Sequence, residues 1–150
     1  MADDSAIIGR MIFKLEKTLP TPDSINRALL KISMWIIAKA KMNVRRKRII
    51  DRGHLINSLS WELYRTGKTY GSFIGSFGVK YAAMNEFGGP VSRKQMRAIF
   101  ASMQRRTIHL PSKGVITRRG AGYWWRERPY LRPAVIESKN YIMETLRKEL

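Results

Sequence analysis

Apolar residues recur every three or four positions between Ile25 and Ala40 and every second position between Leu59 and Val79, so the pattern predicts a long helix followed by a β-hairpin. The helix stripe is Ile25, Leu29, Ile32, Ile36 and Ala40. Its start is marked by Thr21 as N-cap, Pro22 at the first helical position and Asp23 favouring the helix dipole. Leu30, Met34 and Ile37 form a second stripe, so the helix is apolar around more of its circumference than a surface helix needs. Two readings follow: a central helix of one core, or a helix whose second face is covered by a neighbouring subunit.

In the hairpin, Leu59, Trp61 and Leu63 alternate with Ser58, Ser60 and Glu62. After a turn over Gly67 to Gly71, Phe73, Gly75, Phe77 and Val79 alternate with Ser72, Ile74 and Ser76, giving one buried face. Upstream, Ile7, Ile8, Met11, Ile12 and Leu15 predict a short helix over Asp4 to Lys17, capped by Asp3 to Ser5 and ended by Pro20 and Pro22. Arg45 to Arg48 with Asp51 and Gly53 read as a charged connector closing on a turn. Tyr81 to Phe87 reads as one or two helical turns stopped by Gly88, Gly89 and Pro90. Ser92 and Gln95 form a capping box, with Val91 and Met96 as its staple, for a helix from Arg93 to about Arg105. Thr107 to Leu110 reads as a strand and 111–123 as a mobile basic loop. A closing helix after Pro133 carries Val135, Ile142 and Leu146, with Ile136, Met143 and Leu150 beside them. Helices together with an antiparallel hairpin make the fold class α+β.

Length and composition narrow the picture. A chain of 150 residues suits a single domain with one core, and its hydrophobic fraction of 44% is ordinary. With no cysteine, the fold relies on no disulfide or thiolate metal site and suits a reducing cytoplasm. Asp3 and Asp4 are unlike the basic start of a signal peptide, and no apolar run reaches the roughly 18 residues of a membrane span. Lys+Arg number 29 against 11 Asp+Glu, a net charge of +18, which favours phosphate backbones, anionic lipid or an acidic protein surface.

Candidate chemistry fails on spacing. Gly67-Lys68-Thr69 resembles the end of a P-loop, but the glycine needed five positions earlier is Glu62. The glycines at 71, 75 and 78 fit strand alternation better than a dinucleotide loop. His54 and His109 have no cysteine, paired histidine or spaced carboxylate to complete a metal set. Glu62 and Glu86 fall on separate elements, so a carboxylate pair is not expected. Trp124-Trp125 beside Arg126 and Arg128 leaves base stacking open against anchoring of an interface or core. The expectation is a chain with no catalytic residue, no cofactor and no metal.

Three segments follow in order: Asp51-x-Gly53-x-Leu55-x-x-Ser58; Tyr81-Ala82 with Glu86-Phe87-Gly88; and Arg128-Pro129-Tyr130-Leu131 with Pro133-Ala134. In this order they resemble the tail-completion and tail-terminator proteins of long-tailed bacteriophages, over roughly the last two thirds of the chain. Arg52 stands where that family has threonine, and Tyr130 where it has phenylalanine.

The resemblance implies a curved antiparallel sheet flanked by helices and a homo-oligomeric ring of about six copies, closed by rotational symmetry. It places that ring in the virion neck, at the head-proximal end of the tail, after synthesis in the host cytoplasm. Partners implied are the tail tube protein, head-completion or connector proteins and packaged DNA in the channel, with no membrane. Candidate contacts to DNA or an acidic partner are Arg45, Arg46, Lys47, Arg48, Lys113, Arg118 and Arg119; candidate subunit-interface residues are Leu30, Met34, Ile37, Trp124, Trp125 and Tyr130. The alternative from a different class is a free, basic nucleic-acid-binding protein using Arg45 to Arg48 with Arg118 and Arg119.

Overall fold

The computed structural model describes residues 10–13, 20–49, 53–79, 81–94, 97, 116–119 and 122–150. In chain order the elements are β1 (Arg10–Phe13), α1 (Pro22–Arg46), α2 (His54–Ser58), β2 (Leu59–Thr66), β3 (Thr69–Ser76), α3 (Ala82–Phe87), β4 (Gly89–Val91), β5 (Ile116–Arg119), β6 (Gly122–Trp125), α4 (Leu131–Glu137) and α5 (Lys139–Glu149). Helices combine with two small antiparallel sheets, so the chain is α+β as its periodicities predict. The contacts divide it into one unit of Met1–Lys80 with Tyr130–Leu150 and a second of Tyr81–Pro129.

The first unit is organised by α1. The Thr21 hydroxyl accepts from the Ser24 amide at 3.3 Å, and Pro22 occupies the first turn, where no amide donor is missed. Ile25, Leu29, Ile32, Ile36, Ala40 and Val44 are buried, and α1 packs on β2, β3, α4 and α5. Each fully buried isoleucine or leucine contributes about 1.5–3 kcal/mol of transfer free energy. Where the sequence suggests only a charged connector, α1 closes in a Schellman turn. Arg48 takes φ 51°, its amide bonds to the Arg45 carbonyl at 3.0 Å, and the Ile49 amide reaches the Val44 carbonyl at 3.0 Å.

The first sheet has the order β1-β3-β2. Arg10–Phe13 is a strand pairing with Tyr70 to Phe73, not part of the helix expected over Asp4 to Lys17; the remainder of that span lies outside the described residues. Backbone pairing along an otherwise open edge of β3 outweighs a helical periodicity that is only local. The hairpin itself is as expected, with Gly67 at φ 60° leading its turn.

Which residues of β3 meet the helix differs from the expected set. Ser72, Ile74 and Ser76 face α1, directly opposite Leu63, Trp61 and Leu59, whereas Phe73 lies on the other face against Tyr64 at 4.5 Å between ring centroids. The two serines are tolerated inside because each has a partner: Ser72 with Ser33 at 2.7 Å, Ser76 with Ser58 at 2.5 Å. A Cβ at Gly71, on the outer face, would come within 2.3 Å of the Tyr64 ring, so a side chain there would have to displace that ring.

The closing helix begins at Leu131 and divides at Ser138, whose hydroxyl donates back to the Ala134 carbonyl at 2.6 Å. Pro133 falls in the first turn of α4, where its missing donor costs no helical bond.

The second unit contains α3 and a sheet of order β4-β6-β5. The stretch expected as a basic loop carries most of a hairpin: Ile116–Arg119 pairs with Gly122–Trp125. Threonine, tyrosine and tryptophan at cross-strand positions favour a sheet despite the charge between them. Of the helix expected from Arg93, residues Arg93, Lys94 and Arg97 are helical and the others lie outside the described residues, as does the strand expected at Thr107 to Leu110.

Candidate functional site

The three ordered segments occupy structural joints. In the first, Gly53 adopts φ 78° ahead of α2, Leu55 is fully buried, and the Ser58 hydroxyl donates to the Leu55 carbonyl at 2.9 Å. These residues form a helical turn that feeds β2; Asp51 and Arg52 lie outside the described residues.

The second and third segments meet at Asn85, which neither motif nor period marks. Its side-chain oxygen accepts from Trp125 Nε1 and from Arg128 Nη2, both at 3.3 Å. Its Nδ2 donates to the Tyr81 carbonyl at 3.2 Å, and its own carbonyl accepts the Arg128 amide at 2.6 Å. One buried amide thus ties α3 to the end of β6 and the backbone beyond it. Burial pushes the Arg128 guanidinium down from its ordinary value, since the charged form loses hydration there. Glu86 is also fully buried, and Gly88 closes α3 at φ 66°, where a Cβ would come within 2.8 Å of the Trp125 carbonyl oxygen. An asparagine within a helical segment between Tyr81-Ala82 and Glu86 was the available signal, because asparagine in a helix is unfavourable unless its side chain has work to do.

The third segment continues into the first unit. Tyr130, Leu131 and Ala134 are fully buried, and the Tyr130 carbonyl accepts from Asn43 Nδ2 at 3.1 Å.

Of the expected interface residues, Leu30 and Met34 are exposed on α1 and Trp124 is half-buried. Ile37, Trp125 and Tyr130 are buried within their own units, so their packing is intrachain. Trp125, committed to Asn85, is not a stacking platform. Alongside the α1 stripe lies an exposed aromatic the periodicity did not single out: Trp35 stacks on Tyr141 at 4.3 Å between centroids, with Lys39 Nζ 5.5 Å from its ring.

Arg45 and Arg46 end α1 and Lys47 caps it, a placement that suits cations at a helix C-terminus. Arg45, Arg46 and Arg48 are exposed, with Arg46 Nη2 donating to Asn43 Oδ1 at 3.1 Å. Arg118 and Arg119 sit on β5 opposite Tyr123 and Gly122, and Lys113 lies outside the described residues.

Gly67-Lys68 is the hairpin turn, Glu62 is exposed on β2, and His54 is exposed on α2; His109 lies outside the described residues. Among the described residues no cluster of three metal-ligating side chains occurs, and no helix is long and apolar enough to cross a membrane. Comparison with known proteins finds no matching family model, no matching curated protein and no matching solved structure.

Proposed function

We propose that this chain is a non-enzymatic structural protein of the neck of a long-tailed bacteriophage. About six copies form a ring at the head-proximal end of the tail that completes or terminates it and docks it to the head. The observation that carries this reading is what the resembling segments do. Leu55, Ala82, Glu86, Tyr130, Leu131 and Ala134 are buried at 1% or less, and Gly53 and Gly88 hold positive φ. These shared residues are therefore scaffolding, as expected when what is shared is a shape that assembles, while the matched Phe87 is exposed. Exposed Leu30, Met34 and Trp35 offer apolar area for a neighbour. The basic end of α1 faces an acidic partner or DNA in the channel, because like charges gathered in a ring repel.

Disrupting the gene tests this directly: the expected result is full heads with unjoined tails, or tails of uncontrolled length. Infectious, normally joined particles without this chain contradict it. Two charge-reversed chains, Arg45→Glu with Arg46→Glu and Arg48→Glu, and Lys113→Glu with Arg118→Glu and Arg119→Glu, should fold, with at least one failing to join heads to tails. The exposure of Arg45, Arg46 and Arg48 also favours a second reading, a free nucleic-acid binder. Such a protein loses duplex affinity with a log–log salt slope of about −0.9 per phosphate contact, whereas a closed ring survives moderate salt.

A further inference from the structure

We infer that the groove between the start of α1, the end of α5 and the tip of the β2–β3 hairpin binds a short acidic segment of a partner protein, burying one large apolar side chain and setting its carboxylates against Arg65 and Lys68. The cavity measures about 200 Å³; its walls include Ile25, Leu29 and Leu146, with Pro20 and Pro22 at one side and Tyr70 at another. Prolines offer no amide donor, so that wall presents ring carbons and no backbone N–H. The volume is below the ~300–1,000 Å³ usual for small-molecule sites, which suits one side chain rather than a cofactor or a lipid tail.

Two exposed cations stand at the hairpin end of the groove. Arg65 is positioned in advance: its Nε donates to the Gly67 carbonyl at 3.2 Å, and its guanidinium lies 5.0 Å from the centre of the Tyr70 ring. Lys68 occupies the turn itself. No carboxylate among the described residues pairs with either cation. The acid beside Leu150 in sequence, Glu149, is engaged by Lys31 at 2.5 Å and Arg27 at 3.6 Å. An apolar pocket beside two cations that no described carboxylate pairs complements an apolar residue flanked by Asp or Glu. A second copy of this chain, at +18, would bring mainly more positive charge. This assignment does not rest on the neck reading, since any acidic partner satisfies it.

The test is calorimetric titration of the full chain with the capped peptide Asp-Glu-Leu-Phe-Glu-Asp at about 0.15 M salt, where long-range attraction is screened. We expect one peptide per chain and a negative heat-capacity change, the mark of apolar burial. The same peptide with Gly-Gly in place of Leu-Phe should bind at least ~10-fold more weakly. Arg65→Glu with Lys68→Glu, and separately Leu146→Trp, which fills the groove, should each weaken binding ~10-fold or more, while the charge-matched reversal of exposed Arg93→Glu with Lys94→Glu in the second unit should change it less than ~2-fold. If Leu146→Trp does not fold, Leu150→Glu at the exposed rim takes its place with the same expectation. Equal loss from the Arg93 and Lys94 reversal, equal affinity for the Gly-Gly peptide, or no heat of binding overturns the inference. So does tighter binding of dodecanoate with the same sensitivity to Leu146→Trp, because the groove would then be a lipid site.

Discussion

The first unit is closed by the repeating aliphatic stripe of α1, from Ile25 to Val44, whereas the second gathers its strand end and its short helix around one amide, Asn85, with the Glu86 side chain buried next to it in sequence. An aliphatic core distributes its stabilisation over many interchangeable contacts, each proportional to area. A polar junction concentrates it, because removing one partner strands several buried donors together. The two regions should therefore answer differently to substitution, and that difference is open to measurement.

The largest effect belongs to the aliphatic region. Ile36→Ala removes a fully buried side chain at the middle of α1 and should lower the stability of the first unit by about 2–5 kcal/mol, read from denaturant unfolding followed by far-ultraviolet circular dichroism. A loss under about 1 kcal/mol would mean that the site collapses to fill the space.

Next is Asn85→Leu, nearly the same size but unable to accept from Trp125 Nε1 or Arg128 Nη2. The expected cost is about 1–3 kcal/mol, appearing as faster hydrogen exchange at α3 and β6 while α1 amides keep their protection. Equal loss of protection in α1 would show that the two regions unfold as one and remove the contrast.

Smaller and opposite in sign is Arg48→Gly. A non-glycine residue at φ 51° costs on the order of 1 kcal/mol, part of which glycine returns through the greater entropy of the unfolded chain. The net expectation is a stabilisation of a few tenths to about 1 kcal/mol, seen as a raised unfolding midpoint. A lowered midpoint would mean that the Arg48 side chain holds the turn in a way its geometry does not reveal.

The smallest effect is a pH dependence. Glu149 is held below the ordinary carboxylate range, chiefly by its hydrogen bond from Lys31, with the charges of Lys31 and Arg27 adding to it. A depressed carboxylate stabilises the fold above its unfolded value of about 4.3, and that contribution is lost as pH falls through the folded value. Glu149→Gln should thus lower the midpoint slightly at neutral pH and leave it unchanged in strong acid. An equal shift at both ends would assign the effect to packing.

The same contrast explains what the sequence made legible. The α1 stripe, its Thr21 cap and the β2–β3 hairpin are stated by period and by capping chemistry, which are local, and they appear where expected. The strand at Arg10–Phe13 and the hairpin of Ile116–Arg119 with Gly122–Trp125 are set by partners distant in sequence, so their local pattern pointed elsewhere. The face that β3 buries is hidden from the sequence for a related reason. Hydropathy marks Phe73 as the residue to bury, but Ser72 and Ser76 have hydroxyl partners on α1 and ahead of β2 that no alternation reveals. Asn85 was hidden because a junction of four hydrogen bonds has no period at all.

The claim that matters most is assembly, and a reconstruction of the virion neck by electron cryomicroscopy measures it most directly. The chain is expected there as a closed ring of about six copies at the head-proximal end of the tail, with Leu30 and Met34 covered and Arg45 to Arg48 facing the channel or an acidic neighbour. Isolated copies without mutual contact, or a neck from which the chain is absent, would contradict it.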